Sequence, residues 1–201
     1  MVTILHERMD IPKASGHFPA VIWHLVRYKF ALGFIKETDH VLDCACGTGF
    51  GSRFMSDYCE KVTGIDIDPK AIARCEELYG GENREFKQMN ALDINEKYDA
   101  IICYETLEHV SREDGIKLLT NYKSCLNKNG VMIISTPKKL PFNELSPNRI
   151  ESHIYEYEYE EFNKLLCDFF PRPVIFSQTD EVITIGNKKA VWTYIGVCYN
   201  G

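Results

Sequence analysis

The sequence lacks any apolar run approaching the roughly 20 residues that span a bilayer, and its first residues show no basic stretch leading into an apolar one. Both absences predict a chain with no membrane span and no export signal, at work in the cytoplasm. A surplus of positive charge is also missing: 23 basic against 29 acidic side chains give a net charge of −6. Binding to long nucleic acid or to an anionic membrane needs a basic face, so neither is an expected partner. There are no internal repeats, no low-complexity tracts and no paired C-x-x-C units. The eight cysteines are scattered through core-like segments, with Cys44, Cys103 and Cys198 in apolar strand-like runs. That scatter predicts reduced, buried thiols rather than a disulfide framework.

What is present is alternation. From Phe18 to Ile35, apolar residues recur at a helical period (Val21, Ile22, Leu25, Val26, Phe30). Strand-like stretches at 41–45, 62–67, 85–89, 100–104 and 131–135 then alternate with helix-like ones at 51–58, 69–78 and 116–126. A helix over about 160–169 and strands near 174–177 and 191–199 close the chain. This order predicts an α/β, Rossmann-like fold: a seven-stranded, mostly parallel sheet with an antiparallel last strand and helices on both faces. Residues 1–36 read as a helical extension or lid, and residues 37–201 as the main domain. Ligands of such sheets bind beyond the carboxyl ends of the strands.

At the end of the first strand stands VLDCACGTGFGS, with glycines at 47, 49 and 51. A glycine-rich turn between strand and helix lets the backbone approach a ligand closely. The next strand ends in GIDID, which sets Asp66 beside that turn, where a carboxylate accepts from both hydroxyls of a ribose. Turn and acid together predict an adenosine-containing ligand. The dinucleotide pattern is G-x-G-x-x-G, whereas the spacing here is G-x-G-x-G after Asp43. An aspartate at that point is hostile to pyrophosphate and suits a ligand with an ammonium group. A dinucleotide-dependent oxidoreductase stays open as the alternative.

VLDCACGTG resembles the first motif of the class I S-adenosylmethionine-dependent methyltransferases. GIDIDPKAI is similar to their second motif, FKQMNALDI to the third, YDAIICYETLEHV to the fourth, and NKNGVMIISTP to the fifth strand and the turn before it. The resemblance covers roughly residues 7 to 178. It implies S-adenosyl-L-methionine as cofactor and 37–201 as the methyltransferase domain. Asp43 and the backbone of Ala45, Cys46, Gly47 and Gly49 would hold its methionine part. Asp66 would take the ribose, Ile67 the adenine face, and Asn90 with the Ala91 backbone the adenine edge. Asn90 stands where the family commonly has aspartate, and its amide oxygen can still accept. Tyr104 and Glu105 would line the sulfonium side. Arg27 and Tyr28, in HLVRYKFA, resemble part of a helix that covers the cofactor in one bacterial branch; ordinary helix surface is the other reading.

A hydroxyl acceptor needs a base or a cation to lose its proton. The candidates follow the fourth strand in ETLEH: Glu105, Glu108 and His109, whose spacing puts them on one face if the segment is helical. With His153 further on, this set resembles the metal site of the small-RNA 2'-O-methyltransferases and of quinone-precursor O-methyltransferases. It would take Mg2+ or Mn2+. A metal-free site with a histidine or glutamate base is the competing reading. His6, His17, His24 and His40 have no such company in the sequence. The run YEYEYEEF is either the rim of an acceptor pocket or the entry to the last helix. From ERM near Glu7 through STP, the whole resembles bacterial or phage methyltransferases associated with surface glycans. The expected activity is therefore O-methylation of a small molecule, sugar or glycan. A short RNA end as acceptor, or cofactor binding without catalysis, are the rivals.

Overall fold

The structure is a computed structural model that describes residues 18–201, with side chains from residue 21 onward; His6, His17 and the ERM end of the resemblance lie outside the described residues. Helix α1 (Phe18–Ala31) and a short 3-10 turn (Leu32–Phe34) precede a regular alternation. It runs β1 (His40–Cys44), α2 (Phe50–Met55), β2 (Lys61–Asp66), α3 (Pro69–Tyr79), β3 (Arg84–Gln88) and β4 (Tyr98–Tyr104). A 3-10 turn (Leu107–His109) leads to α4 (Arg112–Cys125) and β5 (Leu126–Pro137). Then come α5 (Pro147–Ser152), α6 (Tyr159–Phe169), β6 (Val174–Thr179), β7 (Val182–Ile185) and β8 (Thr193–Tyr199).

The strands form one sheet in the order β3-β2-β1-β4-β5-β8-β6-β7. Strands β1 to β5 are parallel, and β8 runs antiparallel between β5 and β6. The expectation of seven strands is corrected to eight. The extra one, β7, folds back antiparallel on β6 after the turn at Asp180, which holds a left-handed φ of 51°. It is four residues long at the sheet edge, with Val182 and Ile185 mostly exposed. Its sequence, VITI, is apolar and only Ile183 packs on the core, but four residues are too few to show a strand period. The tetrad NKNG, read as a turn, lies inside β5, where Asn129 at φ 63° bulges the strand and donates to Asn200 O.

Local chemistry explains the helix starts. Asp68 caps α3 by accepting from Lys70 N at 2.9 Å, with Pro69 in the first turn, and Ser111 caps α4 by accepting from Asp114 N. Apolar strand residues such as Ile101 and Ile102 point to opposite faces and are both fully buried, because helices cover the two sides. All eight cysteines are free and seven are buried. Helix α1 belongs to the same body: Trp23 O accepts from Gln178 at 2.9 Å, and the Phe30 ring meets Phe176 at 4.9 Å. Tyr28 lies so close to α2 that a Cβ on Gly51 would stand 1.9 Å from its ring. Among the described residues, no helix is long and apolar enough to cross a membrane.

Candidate functional site

The sheet order reverses direction between β1 and β4, and the loops there part at the carboxyl ends of the strands, the place where such sheets bind ligands. A cavity of about 810 Å³ opens at that point. One end is walled by the β1 loop, Asp66 and the 89–92 stretch; the other by Glu105, Glu108, His109, Arg149 and His153.

At the first end, Ala45 and Gly47 both hold a φ of 57°, and no described atom lies within 4 Å of where a Cβ on Gly47 would be. Gly47 faces open cavity. Gly49 instead caps α2 and backs onto Cys75 and Phe86. Asp66, 5% exposed, accepts from Gly47 N at 3.0 Å and from Asp68 N at 2.9 Å, so one carboxylate sets the loop and the turn after β2. Ile67 lines the cavity while 64% exposed, an apolar surface with no protein cover. Met89 and Leu92 line it too, and neither carries a sequence signal. Asn90 Oδ1 accepts from Leu92 N at 2.9 Å, and Ala91 O accepts from Asn121. The Cys46 thiol, on the cavity wall, is held well above its usual pKa, first by its neighbour Cys75 and then by burial.

Asp43 does not reach the cavity wall. Its carboxylate lies 1% exposed beneath the loop and accepts from Tyr28 O–H at 3.2 Å and Ser52 O–H at 2.6 Å. Burial raises its pKa to about 7 against those hydrogen bonds. Its folded value thus exceeds the unfolded one, so the Asp43 contribution to wild-type stability is lost as pH rises from about 4 to about 7. Asp43→Asn keeps one acceptor oxygen and removes the ionisation. The variant should therefore gain on wild type as pH rises, by on the order of 3 kcal/mol between pH 5 and pH 8. Urea melts at those two pH values check it, and an equal stability difference at both would contradict the buried ionisation.

At the second end the structure divides the four candidates. Glu105, at a left-handed φ of 51°, turns its carboxylate to Arg27 Nη1 at 2.5 Å and to Thr193 Oγ1 at 3.2 Å. Arg27 is 3% exposed and also donates to His24 Nδ1 at 2.6 Å. Burial works against the Glu105 charge, but Arg27 and its neighbours prevail and lower the pKa to about 2. Burial, followed by the nearby Arg27, lowers His24 to about 4, so it is neutral at physiological pH. No local pattern links His24, Arg27, Glu105 and Thr193; they share no common spacing along the chain. Tyr104 donates to Arg27 O and stacks edge-on against Tyr28 at 5.1 Å.

Glu108, His109 and His153 do converge: one ligand atom from each lies within 4.8 Å of the others. Glu108 is 1% exposed and accepts from Thr136 at 3.4 Å; burial, then the Glu105 charge, raises its pKa well above the carboxylate range. His109 Nδ1 donates to Ser152 O at 2.9 Å, leaving Nε2 on the Glu108 side at 3.9 Å. The His109 and His153 rings meet edge-on at 5.1 Å. In YEYEYEEF, Tyr157 is fully buried and Tyr159 packs on Tyr194 at 5.5 Å, so the run is largely a packed entry to α6.

Residues 41–130 match a family described as a methyltransferase domain. The ubiquinone biosynthesis O-methyltransferase of Haemophilus ducreyi is 33% identical over 106 residues, 48% of this chain and 44% of that protein. The chain thus spans under half the length of that curated relative. Among solved structures, the N-methyltransferase NodS of Bradyrhizobium japonicum in complex with S-adenosyl-L-homocysteine superposes with a TM-score of 0.66 at 16% identity, over 98% of this chain and 94% of that one. A putative methyltransferase of Haloferax volcanii, in complex with the activator Trm112, gives a TM-score of 0.73 at 16% identity over 91% and 94%. At these identities the structures establish the shared fold.

Proposed function

We propose, from the premise that this chain carries a class I S-adenosylmethionine-dependent methyltransferase domain, that it transfers a methyl group from this cofactor to an oxygen of a small-molecule acceptor. The observation that carries the reading is the two-ended cavity: a nucleoside-type site at one end and an imidazole–carboxylate group at the other.

The cofactor end fits. The open space at Gly47 accommodates a ligand pressed against backbone, Asp66 is placed for ribose hydroxyls, and the uncovered Ile67 offers a face for adenine. S-adenosylmethionine supplies a methyl group already activated for displacement. What remains for the chain is to position the acceptor and remove its proton. His109 suits the proton step: Ser152 fixes its tautomer, so Nε2 presents a lone pair at the Glu108 side. Glu108 is a poor base because burial favours its neutral form. Glu105, pinned by Arg27, presents a fixed carboxylate on the wall, within an ion pair that is neutral as a whole. Helix α1 brings His24 and Tyr28 to the same wall, which supports a covering role for its described residues, 18–31.

A second reading rests on the convergence of Glu108, His109 and His153, a donor set that suits Mn2+ better than Mg2+ because two of the three ligands are imidazoles. Glu105 stands outside that set in this arrangement. The name of the Haemophilus relative directs the acceptor search to phenolic hydroxyls first, with sugars second.

The test has two stages. Calorimetry should give saturable S-adenosylhomocysteine binding, followed by Mn2+ titration of the loaded protein with Glu108→Gln as control. A panel of catechols and sugars is then screened for methylated product by mass spectrometry. His109→Gln should cut the rate by roughly 100-fold or more while leaving homocysteine-product binding intact. Absence of that binding would sink the methyltransferase reading. A silent panel with intact binding would favour a protein that holds the cofactor without catalysis.

A further inference from the structure

Glu156 belongs to the YEYEYEEF run but not to its packed tyrosines. Its side chain is 9% exposed and fully engaged. Oε1 accepts from His153 Nδ1 at 2.7 Å and from Arg149 Nε at 2.5 Å, and Oε2 accepts from Leu140 N at 3.2 Å. Arg149 also donates to Lys138 O. Residues 138–157 are thereby closed into a strap, with Lys139 N donating to Tyr157 O at its base.

The strap is stitched to the 3-10 turn after β4. Ile154 N and Tyr155 N both donate to Glu108 O, and Ser152 O accepts from His109. This backbone contact brings His153 to Glu108 and His109 across more than forty residues of chain. An ionised carboxylate only accepts, so the His153 nitrogen facing Glu156 must carry a proton. In the neutral ring the lone pair then sits on Nε2, on the side away from Glu156. Burial would raise the Glu156 pKa, but Arg149 and His153 outweigh it and keep the carboxylate ionised.

We propose that Glu156 is a positioning residue, holding His153 as its Nδ1–H tautomer and turning the other ring nitrogen toward Glu108 and His109. For its catalytic meaning this rests on the function proposed above; the tautomer stands independently of it. Arg149 keeps Glu156 in place, so the strap contributes orientation rather than a reacting group. An isolated imidazole favours the Nε2–H form, so the preference set by Glu156 is measurable.

Long-range proton–nitrogen NMR of 15N-labelled protein at pH 8.5 reads the tautomer directly. Wild type should show His153 protonated on Nδ1 alone. Glu156→Gln, whose amide oxygen still accepts, should retain that form, and Glu156→Ala should shift the population to Nε2–H. Wherever an acceptor is in hand, Glu156→Ala should lower kcat by roughly 10- to 100-fold, with most of it recovered in Glu156→Gln and S-adenosylhomocysteine affinity unchanged. A wild-type His153 that is Nε2–H or doubly protonated would overturn the proposal, as would an unaltered tautomer in Glu156→Ala. Should the alanine variant lose its fold by circular dichroism, Glu156→Asp, one methylene shorter, takes its place. The tautomer decides the proposal whether or not an acceptor has been found, and loss of homocysteine-product binding would count against the methyltransferase reading alone.

Discussion

Asp66→Ala is expected to weaken S-adenosylhomocysteine binding at least about 100-fold. The side chain does two jobs with one carboxylate. It fixes the loop by accepting from Gly47 N at 3.0 Å and the turn after β2 by accepting from Asp68 N at 2.9 Å. In the proposed complex it also accepts from the ribose. Hydrogen bonds to a charged group contribute about 1.5–3 kcal/mol each, and about 1.4 kcal/mol is tenfold in affinity. Removing both ribose hydrogen bonds therefore weakens binding at least about 100-fold, before any loosening of the loop is added. Calorimetry on wild type and Asp66→Ala decides it: affinities within about threefold of each other would move the nucleoside site away from Asp66.

Arg27→Met should be the most damaging single change to stability around the cavity, costing roughly 3–5 kcal/mol. Arg27 is 3% exposed, sits 5.9 Å from the Tyr104 ring centre, and is the cation that keeps Glu105 ionised. Without it, a carboxylate that reaches the solvent only through the cavity loses its partner, and His24 loses the donor at Nδ1. Glu105 retains about 30% side-chain exposure, which places the cost toward the lower end. A fall in Tm of about 10 °C corresponds to it for a chain of this size. Adding Glu105→Gln to Arg27→Met should restore much of the loss, because the unpaired charge and not the missing volume carries most of the cost. A single variant melting within about 2 °C of wild type would mean that the pair contributes little. A double variant no better than the single would shift the cost to packing.

The fold was legible because its signals are local. Ile101 and Ile102 lie in a short, continuous, β-branched apolar run of the kind a doubly covered strand has, and Asp68-Pro69 starts a helix by its own chemistry. The cofactor loop was legible for the same reason: backbone conformation at Gly47 is a property of a few adjacent residues. Strand β7 was not, since its four residues, VITI, are too few to set a period. The three glycines of that loop do different work. Gly47 faces the cavity, whereas Gly51 is small because Tyr28 of α1 packs against it.

The sequence by itself determined the α/β alternation, the glycine loop, the acid at the end of β2 and the acidic–histidine segment after β4. Tertiary structure decided what those side chains meet. A left-handed backbone at Glu105 breaks the helical spacing of ETLEH and sends that carboxylate to Arg27, far away in sequence. The strap, closed by Arg149 and Glu156, delivers His153 to Glu108 and His109 instead. Period and spacing report how a chain coils locally. Which charge is neutralised, and which imidazole nitrogen faces the cavity, depends on partners that only long-range folding brings within about 3 Å.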